Sequence, residues 1–224
     1  YTLAGSLAKE IMSAMDELLI TTVIPTYRRP AMLRQAISSA LGQTWPHVRV
    51  CVYDNASGDE TGEVVEKISE TDIRVCYHHH PDKIGAYQNL NFGVRAVKTP
   101  FFSLLADDDV LLPGFYEQAM GAFMKHPDAM FVAMPTLEVD DSGWVIGGSG
   151  ALMTFERRYY RAGEAYDGMW NGSVPGIWTG FVLRREVIDE IGFVNESAGP
   201  AADVAFIRHV LARYPGVFVP YLAG

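Results

Sequence analysis

Short β-branched runs and stretches of helical spacing take turns along residues 20–135. Thr21-Thr22-Val23-Ile24 predicts a buried strand that stops at Pro25. Leu33, Ile37, Ala40 and Leu41 then recur at helical spacing. Pro30 falls in that helix's first turn, where its missing N–H costs nothing. Val48 to Tyr53 predicts a second strand, closed by the turn-forming cluster at 54–59. Val64, Val65 and Ile68 mark a helix, and Ile73 to Tyr77 a third strand. A loop with Lys83 and Gly85 leads to a helix through Leu90, Val94 and Val97. Phe101 to Ala106 is an apolar run of the kind a strand covered on both faces shows. A helix around Phe115 to Met124 and an apolar run from Ala129 to Met134 complete the pattern. This alternation predicts an α/β fold: one Rossmann-like, mostly parallel sheet flanked by helices, with right-handed crossovers. Ligands in such a sheet sit at the carboxyl ends of the strands.

The flanks behave differently. Leu3, Leu7, Ile11, Met15, Leu18 and Leu19 predict an N-terminal amphipathic helix over 1–19, packed on the domain or on a partner, a homodimer included. Residues 136–178 lose the alternation and are rich in glycine and aromatics, among them Trp144, Phe155, Tyr159, Tyr160, Tyr166, Trp170 and Trp178. They predict loops and β-ribbons laid over the carboxyl-end crevice of the sheet. Val204, Ile207, Val210, Leu211 and Tyr214 predict a last helix that begins at Asp203. The expected organisation is thus a helix at 1–19, an α/β half at 20–135 and a second half of the same domain at 136–224. A chain that starts at Tyr1 and stops just after an apolar run is expected to be a piece of something longer.

Composition narrows the partners. The formal net charge of −9 comes without a basic block, which argues against a nucleic-acid binder. Any anionic substrate then needs a metal or a few placed cations. Cys51 and Cys76 lie in expected strands without CxxC spacing and read as buried thiols in a reducing compartment. His78-His79-His80 reads as a surface cluster at a strand end, because neighbours on a strand face opposite sides and cannot converge on one ion.

Asp107-Asp108-Asp109, directly after the fourth strand, is the strongest chemical signal. Packed carboxylates repel unless something positive joins them, and a hard divalent cation with oxygen ligands is the common answer. An acidic turn ahead of a helix is the plainer reading. The strand-end rule also gathers Thr26 and Tyr27 after the first strand and Asp54 and Asn55 after the second. These polar positions converge on one crevice.

The order of signals resembles the family 2 glycosyltransferases of the GT-A fold. The residues that carry the resemblance are Val23-Ile24-Pro25-Thr26-Tyr27-Arg28-Arg29, Ala36 to Thr44, Tyr53 to Ser57, and Lys83-Ile84-Gly85 with Asn89 to Gly93. The Asp run with Leu111-Leu112-Pro113, Gly180 to Arg185 with Ile191-Gly192-Phe193, and Asp203 complete the series. The resemblance implies an inverting enzyme that moves a sugar from a nucleotide diphosphate donor to an acceptor hydroxyl, assisted by Mn²⁺ or Mg²⁺. It assigns the metal to Asp108, with Asp109 in support, and the donor ribose to Asp107. Pro25, Thr26, Tyr27, Arg29, Asp54, Asn55, Lys83, Gly85 and Asn89 fall to the nucleotide, with the Tyr27 ring stacked on the base. Trp178, Thr179 and Gly180 fall to the donor and acceptor sugars, and the resemblance makes 20–135 the nucleotide-sugar-binding half and 136–224 the acceptor-side half. Asp203 falls to the catalytic base, with a helix cap as the plainer role.

Three positions depart from the family pattern. Its first acid is Ala106, its second strand-end acid is Asn55, and Ala202 stands where an acid often precedes the base. Uridine leads among the bases, with thymidine and guanosine open, because an Asn amide both donates and accepts. The acceptor implied is a carbohydrate or lipid-linked saccharide of a bacterial surface polysaccharide or glycoconjugate. The expected place is the cytoplasm, peripheral at the inner face of the membrane. A sugar-phosphate nucleotidyltransferase is a rival, though 25–30 lacks the glycines that grip a triphosphate. A non-catalytic nucleotide- or carbohydrate-binding module is another.

Overall fold

The computed structural model describes residues 18–149, 157–170, 172 and 174–224. The expected helix at 1–19 and Phe155 therefore lie essentially outside the described residues. The alternation of the sequence becomes, in three dimensions, β1 (Ile20–Thr26), α1 (Pro30–Leu41), β2 (Val48–Asp54), α2 (Thr61–Ser69), β3 (Val75–His79), α3 (Ala86–Ala96) and β4 (Phe101–Leu104). Next come α4 (Phe115–Lys125), β5 (Phe131–Ala133), β6 (Thr136–Val139), β7 (Val145–Ser149), β8 (Arg158–Tyr160) and α5 (Glu164–Trp170). The chain ends through β9 (Phe181–Arg184), α6 (Glu186–Ile191), α7 (Ala202–Arg213) and β10 (Gly216–Phe218).

The main sheet has the order β3-β2-β1-β4-β9-β5-β10-β8. β1 pairs in parallel with β2 on one side and β4 on the other, so the order reverses at β1. β9 runs antiparallel between β4 and β5, and β8 antiparallel at the far edge. The sheet is therefore mostly parallel, as expected. The expectation of loops and ribbons over 136–178 holds for the β6–β7 ribbon, whereas β8 joins the edge of the main sheet, which β9 and β10 also enter. β9 alternates its apolar side chains between the two faces: Val182 packs with the α1 and α4 layer, Phe181 and Leu183 with the α3 and α7 layer.

Helix faces follow their sequence spacing. α1 buries Leu33, Ala36, Ile37 and Ala40. α3 buries Leu90 and Val94 and lies so close to the sheet that a Cβ on Gly93 would stand 2.7 Å from Tyr53 and 2.8 Å from Val23. Tyr116 of α4, fully buried, spans β1 and β4 through Thr22 Oγ1 (2.5 Å) and Ser103 Oγ (2.9 Å).

Two strand limits differ from the sequence pattern. β3 begins at Val75, because Ile73 is 97% exposed in a turn tied by Asp72 to Arg74. β1 runs through Pro25 to Thr26. Leu105 N donates to Val23 O, so the odd residues of β1 turn their polar groups toward β4. Pro25 thus directs its absent N–H to the side that β4 leaves at Leu104.

Two expectations on single side chains are corrected. Cys76 is exposed, while its register partner Cys51 is buried. Hydrogen bonding from Cys51 pulls the Cys76 thiol below its usual range, Arg49 adds to this, and the Cys51 thiol is correspondingly pushed up. Iodoacetamide at pH 7 is accordingly expected to label Cys76 first and Cys51 only after unfolding, as read by peptide mass mapping. His80 is buried, not at the surface, and its Nε2 meets Asn89 Oδ1 at 3.0 Å. His78 stacks on Phe92.

Candidate active site

The reversal of strand order between β1 and β4 opens a crevice at their carboxyl ends, and the acid run lies across it. Thr26 Oγ1 donates to Asp107 Oδ2 at 2.7 Å, with Tyr27 N at 3.4 Å from the same oxygen. Arg29 Nη1 donates both to Asp107 Oδ1 at 3.0 Å and to Asp108 Oδ2 at 2.6 Å. Hydrogen bonding to Asp107 and the two negative charges raise the Arg29 guanidinium further above its usual value. Asp109 turns away and accepts from the Thr179 hydroxyl. Burial raises its pKa, and the neighbouring Asp108 and Asp107 add to this, against the Thr179 bond. The three acids therefore have three environments: Asp107 buried and anchored, Asp108 exposed, Asp109 half-buried.

Beside them is a cavity of about 270 Å³. Eight residues expected at the site line it: Pro25, Thr26, Tyr27, Arg29, Asn55, Asn89, Asp107 and Trp178. Sequence reasoning missed Ala86, Tyr87 and Leu90, which complete the wall from the first turns of α3. The signal was present in the loop through Gly85, since a helix opening there must project its first residues into the crevice.

Several expected residues do their visible work on the protein itself. Asn55 clamps the loop before α3, donating from Nδ2 to Ile84 O and accepting from Ile84 N at Oδ1, both at 2.8 Å. That loop carries Lys83, whose Nζ lies 3.8 Å from the centre of the Tyr27 ring. Asn89 donates to Tyr53 O at 2.8 Å and joins His80 beneath the cavity. Gly85 stands at the N-cap of α3. Asp54 is turned into its own loop, accepting from Ser57 N (3.0 Å), Ser57 Oγ (2.5 Å) and Tyr77 OH (2.7 Å). It does not line the cavity. Arg28 is tied to the same loop through Ser57 Oγ and Ser57 O, both at 2.9 Å, with a left-handed φ of 57°.

Asp203 lies half-buried in the first turn of α7, beside Tyr87. It is not the cap, since the N-cap position is Ala201 and no side chain caps the helix. Burial raises the Tyr87 pKa, and the charge of Asp203 raises it further. Thr179 and Gly180 form a buried 3-10 turn entering β9, next to Trp178.

No group of three or more acidic, histidine or cysteine side chains able to cage a metal occurs among the described residues. Two carboxylate oxygens, from Asp107 and Asp108, already share one cationic nitrogen. That fits an ion of the Mg²⁺ or Mn²⁺ kind, which takes one or two carboxylates and completes its shell with substrate phosphates and water.

The fold and this crevice define an α/β domain with its site at the strand-order reversal, and comparison with known proteins makes the class definite. The family model described as glycosyl transferase family 2 matches residues 21–192, and the chain belongs to that family. It is 24% identical over 182 residues to glycosyltransferase GlyG of Streptococcus pneumoniae serotype 4, covering 79% of this chain and 60% of that one. It is 32% identical over 96 residues to the GalNAc(5)-diNAcBac-PP-undecaprenol beta-1,3-glucosyltransferase of Campylobacter jejuni, covering 42% and 31%. The chain thus spans 60% or less of the length of these relatives. Among solved structures it superposes on TarS 1-349 of S. aureus with a TM-score of 0.71 at 15% identity, covering 90% of this chain and 60% of that one. The mannosyltransferase PcManGT of Pyrobaculum calidifontis, in complex with GDP-Man and Mn²⁺, gives 0.60 at 14%, covering 91% and 55%. These likenesses establish the GT-A fold. No helix among the described residues is long and apolar enough to cross a membrane.

Proposed function

We propose that the domain transfers a sugar, with inversion, from a nucleoside diphosphate donor to an acceptor hydroxyl. The observation that carries this reading is the shared placement of Tyr27, Asp107 and Arg29 in one cavity at the β1–β4 reversal, with Asp203 beside Tyr87. Tyr27 offers a ring for the base once Lys83 moves off it, and Asp107, held by Thr26, offers its carboxylate to the ribose. Asp108 would be the principal ligand of a divalent ion, with Asp109 in support from its Thr179 contact. The chemistry such an ion, Mn²⁺ or Mg²⁺, would supply there is neutralisation of charge on the departing diphosphate. Asp203 accepts the proton of the acceptor hydroxyl. The new C1–O bond forms as the C1–O bond to phosphate breaks, and the diphosphate leaves with the electron pair. Trp178, Thr179 and Gly180 border the sugar.

Two solved TarS structures hold UDP and UDP-GlcNAc, and PcManGT holds GDP-Man, which supports a nucleotide-sugar donor here. Uridine leads, with thymidine and guanosine as alternatives. Asn55 still lines the cavity, but both ends of its amide are engaged by the Ile84 backbone, so that loop must release it before it can meet a base. The name of the C. jejuni relative favours a lipid-linked saccharide acceptor in bacterial glycoconjugate synthesis, and the proposed place of transfer is the cytoplasmic face of the membrane.

Calorimetric titration with UDP, dTDP and GDP in the presence of Mn²⁺ tests the reading. One of the three is expected to bind at least about tenfold more tightly than the others. If none binds, the proposal fails. Binding without any release of nucleotide from the matching sugar donors, acceptor extracts included, selects the non-catalytic module instead.

A further inference from the structure

Arg29 is the cation that bridges the acid run, and its position has a consequence for how the site fills. A single nitrogen, Nη1, bridges Asp107 at 3.0 Å and Asp108 at 2.6 Å. The Arg29 side chain is 50% exposed and Asp108 44%, whereas Asp107 is 8% exposed. Asp107 has other anchors in Thr26 and the Tyr27 amide, so it stays in place if Arg29 leaves. Asp108 has no comparable anchor among the described residues. Arg28, next in the chain, is bound to Ser57 in the loop after β2 and does not substitute. Arg29 is thus a long, half-solvated side chain that occupies Asp108, the proposed metal ligand, and reaches from there to Asp107, the proposed partner of the ribose.

Charge sets the order of binding. A metal arriving alone must displace Arg29 from two carboxylates and leave the guanidinium with water only. A metal arriving with a nucleoside diphosphate displaces it toward a new anion, and the planar fork of arginine pairs well with phosphate oxygens. The incomplete set of protein ligands adds to this, because the ion needs donor oxygens to fill its shell.

We propose that Arg29 is an internal counter-cation that holds Asp107 and Asp108 in the donor-free protein and passes to the donor diphosphate when a divalent ion replaces it, so that metal and donor bind as a coupled event. This role rests on the reading of the crevice as the donor site. It makes Arg29 a positioning residue that suppresses metal binding without donor and strengthens it with donor.

The test measures Mn²⁺ binding by the loss of the free-ion paramagnetic resonance signal, with and without UDP, dTDP or GDP. Wild type is expected to bind Mn²⁺ weakly alone and much more tightly with the matching diphosphate. Arg29→Gln is expected to bind Mn²⁺ alone roughly five- to tenfold more tightly, and the diphosphate with Mn²⁺ more weakly by a similar factor. Arg29→Lys, which keeps the charge and loses the fork, should still suppress Mn²⁺ alone yet recover only part of the diphosphate affinity. If diphosphate and Mn²⁺ bind together but Arg29→Gln leaves the affinity for Mn²⁺ alone unchanged or lowers it, the counter-cation role is wrong and the donor site stands. If no diphosphate binds wild type with Mn²⁺, both readings fall.

Discussion

Asp203→Asn is expected to lower turnover by about 10²- to 10⁴-fold, the range for removal of a general base, with little change in nucleoside diphosphate affinity. The argument starts from position. Asp203 sits half-buried in the first turn of α7, a helix anchored by Ala202, Phe206, Ile207, Val210 and Leu211, so its backbone is fixed. An Asn keeps the shape and the helix while removing the proton acceptor. Because no side chain caps α7, the substitution should leave thermal stability nearly unchanged. A cap would behave in the opposite way, losing stability by about 1 kcal/mol on replacement and leaving turnover alone. Steady-state release of nucleoside diphosphate, measured beside a melting curve for the same variant, separates the two. Full turnover in Asp203→Asn would remove the residue from the mechanism.

Gly180→Ala should have the second large effect, on both stability and the site. A Cβ there would stand 2.2 Å from the carbonyl oxygen of Met134, and backbone cannot give way as a flexible side chain does. The two strands are also joined at this point by Met134 N to Gly180 O at 2.9 Å. Forcing them apart is expected to cost about 1–3 kcal/mol, the range for overpacking a well-filled core. The displacement would move Thr179, and with it the contact that holds Asp109. Chemical denaturation should show the loss of stability, and Mn²⁺ binding in the presence of the diphosphate should weaken together with it. Unaltered stability would show that the strands can separate freely here. The family pattern containing Gly180 therefore has a packing reason that is independent of any sugar contact.

Much of the frame was legible in the chain, because it depends on local spacing. The β1 run, the helix periods of α1 and α7 and the acids after β4 are patterns within a dozen residues, and the strand-end rule places them together without further information. Features that depend on distant partners were not legible. Ile73 is the local exception: it looks like the start of a strand, yet its own neighbours Asp72 and Arg74 pair across it and hold it in a turn outside the sheet. Phe181 to Arg184 inserts between β4 and β5 in the antiparallel sense, and no local pattern specifies that neighbour. Asn55 carries the chemistry to meet a base, but the loop at Ile84 takes up its amide. His80 belongs to a run of three like residues, and only the fold selects it for burial against Asn89. The acid run itself is uniform in sequence, and tertiary contacts with Thr26, Tyr27, Arg29 and Thr179 make its members different.

Pro25 has a consequence for the shape of the crevice. The parallel ladder between β1 and β4 reaches Leu105 N on Val23 O, and its next bond would need an N–H from residue 25. Proline has none, so the zipper has a stop at that rung. The chain beyond Leu105 is free to peel away from β1, and it turns through Ala106 into the three acids. The opening between the two strands is maintained by a hydrogen bond that cannot form. An N–H at this one position would let the strands close further, at the point where the domain must stay open to work.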